Sequence, residues 1–566
     1  MPSKTKWIVE PEPDPALVRE FVNEFGLSEI VVRLAIQRGF SGREEFINFL
    51  YPRLKDLSDP FKLHGIAAAV ERILRAADDK ESVVLFGDYD VDGVSSVALL
   101  TRILQGYGIE PRSFLPTRLK EGYGLSTDGL EKSFEGNPPD LVIAADCGTN
   151  SREEAIYLKE QGIDLIILDH HEPSPEGVAE CDALVNPKLG DDYHYLCTGG
   201  VVFKVGHALL KTRAVPGMDL KDFLDFVALA TIADIVPLVE ENRIFARKGL
   251  IQLDRTIHPG LSALKSVANV GTPAKSLDVS HKLGPRLNAS GRLDTAKASL
   301  DLLLCDDQVL AKTCAEDLDL QNKERQELEY RTREEAEQMI QALSPDQRSY
   351  GIVVGSRGWH PGVVGIVASR ISKFYHRPTF IIAIDEDGLG KGSGRSVPGI
   401  SLVEALNASR DIIEAGGGHE MAAGVTVMED NIDAFRERFD AQVKEQATSD
   451  SLTPKLHIDS VVSLAEVKME LLDSYELLHP FGAANPQPLF MTKNVEMGGD
   501  PRIIKEKHMK FQLYQDGVLR DAIYFNSADL DLPNPPWDIA FNIDRNEFRG
   551  LSQLSITIQA VRKAGG

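Results

Sequence analysis

Cysteine is scarce. The 566-residue chain has five, Cys147, Cys181, Cys197, Cys305 and Cys314. Their number is odd and none stand in a CxxC pair, which argues against a zinc ribbon or a disulfide framework and leaves buried thiols as the expectation. Long apolar runs are also missing: none approaches the roughly 18 residues of a membrane span. The opening MPSKTKWIVEPEPDP lacks the apolar core of a signal peptide, so a cytoplasmic protein without membrane contact is expected. Positive charge is in deficit, with 62 Lys and Arg against 86 Asp and Glu, a net charge of −24. Taken alone, that balance argues against a nucleic-acid binder, whose footprint is usually basic. A local positive groove is still compatible with it. Gly and Pro are absent from Cys305 to Leu343, where helix formers dominate, and one long, mostly solvated helix is expected there.

Three apolar strands each run into an acidic or acid-plus-histidine cluster: VVLF-GDYDVDG (83–93), LVIAAD (141–146) and DLIILDHH (164–171). Helical stretches follow them, at Val94–Gln105, Arg152–Gln161 and Phe203–Lys211, and strands separated by helices form a parallel sheet. Parallel strands end on one edge, and ligands bind in the crevice outside their carboxyl ends. The segment KDFLDFVALATIADIVPL (221–238) reads as a helix leading to a fourth acid, Asp234. A second α/β unit is expected over about 350–440, followed by short alternating strands typical of a small β-barrel. The expected fold class is α/β, two lobes joined by a long helix with a C-terminal β-barrel. The expected divisions are 1–78 (helical extension), 79–304, 305–345 (connecting helix), 346–450 and 451–566.

GDYDVDG also has the opening of an EF-hand calcium loop. That loop needs a bidentate Glu at its twelfth position, which counted from Asp88 is Leu99, and it should follow a helix rather than a strand. A strand-to-helix turn is the better reading, with Gly93 permitting the tight bend. One Asp at a strand end is an ordinary helix cap. Several converging on one crevice repel each other unless a cation is present. Carboxylates with imidazole suit Mn²⁺, and Mg²⁺ where it keeps several waters. Two such ions about 3.5–4 Å apart can bind a phosphoryl group and activate water, which points to phosphoester hydrolysis.

The series GDYDVDG, AADCGT, DHH and IADIVPL resembles the DHH phosphoesterase superfamily, and GWHPGVVGIVASR, GSGRS and GGHEMAAG resemble the DHH-associated domain. From about residue 20 to the last residue, the chain is similar to that superfamily's single-strand-specific DNA exonucleases. The resemblance implies 5′-to-3′ hydrolysis of single-stranded DNA to mononucleotides, in DNA repair and recombination, with one or two Mn²⁺ or Mg²⁺ ions. It implies Asp90, Asp92, Asp146, His170 and Asp234 as metal ligands, with Asp88 beside them. His171 would contact the scissile phosphate or protonate the leaving group, and Asp169 would orient the histidines. Many members carry a histidine where this chain has Phe86, so one metal would lack a protein ligand. Arg118 would hold the 5′ phosphate and Tyr123 would stack on a base. Further substrate contacts are implied at Arg286, Asn288 and Arg292, in a glycine-rich turn at Ser393, Gly394 and Arg395, and at Gly417, Gly418 and His419. The C-terminal segment matches the OB-fold of these enzymes, with Lys505, Lys507, Lys510, Phe511, Tyr524 and Arg549 as candidate strand contacts. Single-strand binding protein and a RecQ-type helicase are the implied partners of a monomer. The alternative within the superfamily is a phosphatase of short oligonucleotides or nucleotide bisphosphates, but such enzymes generally comprise the two lobes alone.

Overall fold

The computed structural model describes residues 5–117, 124–293, 295–448, 450–548 and 551–565. It divides into two units. One comprises Pro13–Asn322 with Asp473–Gln487, the other Met1–Glu12, Lys323–Leu472 and Pro488–Gly566. Among the described residues, no helix is long and apolar enough to cross a membrane.

The chain begins with a strand, β1 (Lys6–Val9), inside the stretch expected to be helical. It pairs in parallel with Lys455–Ile458, and its Trp7 ring lies 4.6 Å from the Arg562 guanidinium. A partner strand this distant in sequence leaves no local signal, and the four residues KWIV do not alternate, so they do not declare themselves as a strand.

In the Pro13–Asn322 unit, helices Pro15–Phe25, Glu29–Gln37, Arg43–Leu50 and Ile66–Asp79 precede a five-stranded sheet. Its strands are β2 (Val83–Gly87), β3 (Arg112–Phe114), β4 (Leu141–Ala145), β5 (Asp164–Leu168) and β6 (Ala183–Val185). All are parallel, in the order β3-β2-β4-β5-β6. β2 and β4 are buried along their whole length, which is why they read as unbroken apolar runs. The order reverses between β2 and β4. A reversal of this kind opens a crevice at the carboxyl ends of the two strands.

Alternate residues of β2 serve opposite cores. Val83 and Leu85 face the helix Val91–Gly106, while Val84 and Phe86 face the helix Thr127–Phe134. Phe86 is fully buried, its ring 5.3 Å from that of Phe114. Gly129 makes room for it, since a Cβ there would lie 3.1 Å from the ring. The position where the resemblance leads one to expect a histidine is here given to packing.

The segment Asp473–Gln487 belongs to this unit although its flanks do not. Arg243 and Arg247 hold it through the carbonyls of Leu477, Leu478 and His479, and the Leu238 amide donates to the Ala483 carbonyl at 2.9 Å. These contacts brace the chain that follows Asp234.

The helix Gln308–Ala342 carries the chain from one unit into the other. In the second unit, β7 (Ile352–Arg357), β8 (Thr379–Ile384), β9 (Leu389–Arg395), β10 (Ala415–Gly418) and β11 (Ala422–Met428) form a sheet of order β10-β11-β9-β8-β7. Next come β12 (Lys455–Ile458), the partner of β1, and a seven-stranded sheet that curls into a barrel. Its strands are β13 (Ser460–Val461), β14 (Phe490–Met497), β15 (Arg502–Ile504), β16 (His508–Gln515), β17 (Val518–Tyr524), β18 (Trp537–Phe548) and β19 (Leu551–Lys563). The seven form one sheet of order β13-β14-β18-β19-β17-β16-β15, in which a β14–β16 pairing closes the five strands β14, β18, β19, β17 and β16 into the barrel, with β13 and β15 flanking it.

Ser393, Gly394 and Arg395 are not in a turn. They lie in β9, hydrogen-bonded between β8 and β11, so their main chain belongs to the sheet. The glycines read as a turn are there for packing. A Cβ on Gly392 would lie 2.7 Å from the Ile382 side chain, and one on Gly394 would lie 2.5 Å from the Phe380 ring.

Candidate metal centre

Four chain segments meet at the switch point. After β2, Asp90 caps the helix Val91–Gly106: its Oδ1 accepts the amides of Asp92 at 2.8 Å and Gly93 at 3.2 Å. Glycine is required at 93, because a Cβ would come within 2.5 Å of the Asp88 carbonyl oxygen. After β4, Asp146 takes a left-handed backbone, φ 67°, which Asp tolerates better than most residues. Its amide still reaches the Leu168 carbonyl, and its Oδ1 accepts the Thr198 hydroxyl at 2.8 Å.

After β5, Asp169 organises its neighbours. Its Oδ1 accepts the His170 amide at 2.8 Å and His171 Nδ1 at 2.7 Å, and its Oδ2 accepts the Thr149 amide at 3.0 Å. The imidazole of His171 is therefore oriented through Nδ1. Asn186 donates to both the Thr149 hydroxyl and the His171 carbonyl. Asp234 stands at the carboxyl end of the helix Leu224–Ala233.

His170 Nε2 lies 3.5 Å from Asp146 Oδ1, 3.6 Å from Asp234 Oδ2 and 3.8 Å from Asp92 Oδ2. Hydrogen bonds run at about 2.7–3.2 Å. The wider spacing is that of neighbouring ligands, each about 2.1 Å from a shared ion. Three overlapping groups have ligand atoms within 4.8 Å of one another: Asp146, His170 and His171; Asp92, His170 and Asp234; Asp88, Asp90 and Asp146. Asp92 is also tied down by the first turn of the helix Thr198–Thr212. Its Oδ2 accepts the Thr198 amide and its Oδ1 the Gly199 amide, both at 2.8 Å. Gly199 allows this approach, since a Cβ there would lie 2.4 Å from that of Ala230.

The crowded carboxylates resist charge until a cation or a proton joins them. Burial, then repulsion from Asp92, Asp90 and Asp88, raises the Asp146 carboxyl well above the usual range. Burial, then Asp92 and Asp90, pushes Asp234 up to about 8. Burial and Asp92 raise Asp90 as well, and burial lowers the His170 imidazole. Asp169 behaves oppositely. Burial opposes its charge, but the His171 and Thr149 hydrogen bonds prevail and hold it below the usual range. Burial likewise opposes a charged His171, yet Asp169 carries that imidazole up to about 9. Carboxylates crowded with one neutral imidazole make a donor set for Mn²⁺ or Mg²⁺.

The helix Gly284–Leu293 packs on the Asp88–Asp92 turn, where a Cβ on Gly291 would lie 2.9 Å from the Tyr89 carbonyl. Asn288 and Arg292 are half-buried on this helix. Arg286 is taken up by Asp319, at 2.8–2.9 Å, and by the Lys282 carbonyl. Arg118, Tyr123 and Arg549 lie outside the described residues.

In the second unit, Ser393 and Arg395 sit beside the start of the helix Val364–Tyr375. A Cβ on Gly365 would lie 3.1 Å from Ser393 Oγ and 3.4 Å from an Arg395 guanidinium nitrogen. Gly417, Gly418 and His419 are exposed on and just beyond the edge strand β10. Sequence reasoning missed Thr149, Asn186, Thr198 and Gly199. None of these types announces a site, although the Thr-Gly-Gly run at 198–200 marks a close helix approach.

The strand ends that furnish this crevice lie in a stretch that matches the DHH family. The chain matches the model of the DHH family, N-terminal domain, over residues 82–231, that of the DHHA1 domain over 349–445, and that of the RecJ OB domain over 458–560. It is 34% identical over 560 residues to the single-stranded-DNA-specific exonuclease RecJ of Dickeya dadantii, covering 94% of this chain and 96% of that one. To the Bacillus subtilis enzyme of the same name it is 34% identical over 567 residues, 98% of this chain and 71% of that one. The crystal structure of RecJ in complex with Mn²⁺ from Thermus thermophilus matches with a TM-score of 0.85 at 28% identity, covering 100% of this chain and 81% of that one. A companion structure of the same protein is in complex with Mg²⁺. The chain belongs to the RecJ family.

Proposed function

We propose that the protein is a metal-dependent exonuclease specific for single-stranded DNA, which degrades it 5′ to 3′ to mononucleotides in DNA repair and recombination. The observation that carries this reading is the convergence of Asp88, Asp90, Asp92, Asp146, His170 and Asp234 at one switch point. Asp90, Asp92, Asp146, His170 and Asp234 would hold Mn²⁺ or Mg²⁺, with Asp88 contributing beside them. A cation held there would neutralise charge at the scissile phosphate and lower the pKa of the attacking water.

The chain's own groups do the rest. Asp169 fixes His171 and favours its protonated form, so the imidazole can donate a proton to the phosphate or the leaving oxygen. Ser393 and Arg395, beside a helix start, and the exposed Gly417–His419 edge suit a terminal phosphate. Arg118 and Tyr123 would bind the 5′ phosphate and a base, and Asn288 and Arg292 would add polar contacts. Arg286 is the weakest member of that set, since Asp319 already neutralises it.

The barrel would hold the strand behind the cut. Its β15–β16 hairpin carries Arg502, Lys505, Lys507 and Lys510, the last paired with Asp521, with the exposed Phe525 ring against His508 and the exposed Tyr514 ring at the far end of β16. Single-strand binding protein and a RecQ-type helicase fit as partners of a cytoplasmic monomer.

The test offers end-labelled single strands, duplexes and a nucleotide bisphosphate with Mn²⁺ or Mg²⁺. Mononucleotides as the first products from 5′-phosphorylated single strands, with duplexes resistant, are expected. Exclusive turnover of the bisphosphate would overturn the reading.

A further inference from the structure

Thr198 is the first residue of the helix Thr198–Thr212 and is fully buried. It touches two carboxylates that arrive from different directions. Its amide donates to Asp92 Oδ2 and its hydroxyl to Asp146 Oδ1, each at 2.8 Å. Asp92 sits on the helix after β2, and Asp146 sits in the left-handed turn after β4. The residue before Thr198, Cys197, makes no side-chain cap. The helix start is instead capped by Asp92, which also takes the Gly199 amide.

We infer that Thr198 is a positioning residue for the metal centre: it sets the orientation of Asp146 and couples it to Asp92, so that both present their remaining oxygen lone pairs to the cation. The inference rests on the metal-centre reading above. The physical argument has three parts. The left-handed backbone fixes where the Asp146 Cβ points but not the torsion of its carboxyl group, and the Thr198 hydroxyl removes that freedom. A hydroxyl that donates to one carboxylate oxygen also fixes which lone pairs are left for a cation, as hydrogen-bond partners of metal ligands do. Burial also prevents water from replacing the hydroxyl. Among the described residues, no other contact of Asp146 does this work. Its amide is spent on the Leu168 carbonyl, and His170 Nε2 at 3.5 Å lies beyond hydrogen-bond range.

The test compares Thr198→Val, which keeps the branched shape and loses the hydroxyl, with Thr198→Ser, which keeps the hydroxyl, in the full chain. Mn²⁺ binding is read directly from the signal of free aqueous Mn²⁺ in electron paramagnetic resonance, without substrate. Thr198→Val should weaken Mn²⁺ binding by about 10–100-fold, the usual effect of removing a hydrogen-bond partner of a metal ligand. Thr198→Ser should bind Mn²⁺ within a few-fold of the parent. Activity of Thr198→Val should recover as Mn²⁺ is raised, a shift in metal requirement more than in kcat. If the valine variant does not fold, Thr198→Ala removes the same hydroxyl and is judged by the same binding constant.

Asp146→Ala runs alongside. Mn²⁺ binding unchanged in Thr198→Val but lost in Asp146→Ala overturns the role of Thr198 alone. Mn²⁺ binding unchanged in Asp146→Ala overturns the metal centre beneath it. Equal weakening in the serine and valine variants also overturns the role, because packing rather than the hydroxyl would then be responsible.

Discussion

The parallel sheet of the first unit and the closed barrel of the second present their functional side chains by different rules. In the sheet, β2, β4 and β5 all leave by the same edge, so a residue just past a strand end has its place fixed by chain direction alone. In the barrel, neighbouring residues face opposite sides, and a shift of one residue exchanges core for surface. Phe511 and Tyr524 look like stacking platforms in the sequence, yet they are 1% and 9% exposed, and Phe511 packs edge-on against Trp537 at 5.7 Å. Among the described residues of the barrel, the Tyr and Phe rings that reach solvent are Tyr514, 41% exposed, and Phe525, 49% exposed. Chemistry at strand ends survives ignorance of register; chemistry on a barrel face does not.

The sheet side of the comparison breaks most sharply at Asp146. Asp146→Ala should lower hydrolysis of single strands by about 10³-fold or more, since the bound metal is worth several kcal/mol of transition-state stabilisation. Affinity for a long single strand, measured by fluorescence anisotropy, should change little because the barrel is untouched. Normal turnover in this variant would mean that the strand ends do not form the reacting centre.

A smaller effect is expected one step away from the metal. Asp169→Asn keeps the shape but loses the charge that organises Thr149, His170 and His171. Turnover should fall by about 10–100-fold, as is usual for a partner of the reacting groups. A kcat equal to that of the parent would remove Asp169 from the orienting role.

This contrast also explains how much was legible in advance. The acidic strand ends, the parallel sheet, the helix now seen at Gln308–Ala342 and the closing β segment all follow from periodicity and from the resemblance. Long-range pairings do not. Nothing local marks Lys6–Val9 as the partner of Lys455–Ile458, or returns Asp473–Gln487 to the first unit. Glycine misleads for a related reason. In GKGSGRS it serves the close approach of Ile382 and Phe380 across the sheet, and the same residue would serve a tight turn equally well. The helix read as Phe203–Lys211 starts at Thr198, and the five residues gained include both amides that hold Asp92. Helix ends are where periodicity is weakest, and here the end is what touches the site.

The barrel side sharpens at a single pair of neighbours. Phe525→Ala removes an exposed ring beside His508, to which it lies edge-on at 5.1 Å. Affinity for a long single strand should fall by about tenfold, within the ~1–3 kcal/mol that one stacked base contributes. Cleavage of a short strand that does not reach the barrel should be unaffected. Tyr524→Phe, one residue away but facing the core, loses only a 3.4 Å hydrogen bond to the Gln559 carbonyl and should bind the strand as the parent does. The opposite ranking, with Tyr524→Phe weakening binding and Phe525→Ala neutral, would mean that the strand does not run over the β16–β17 face.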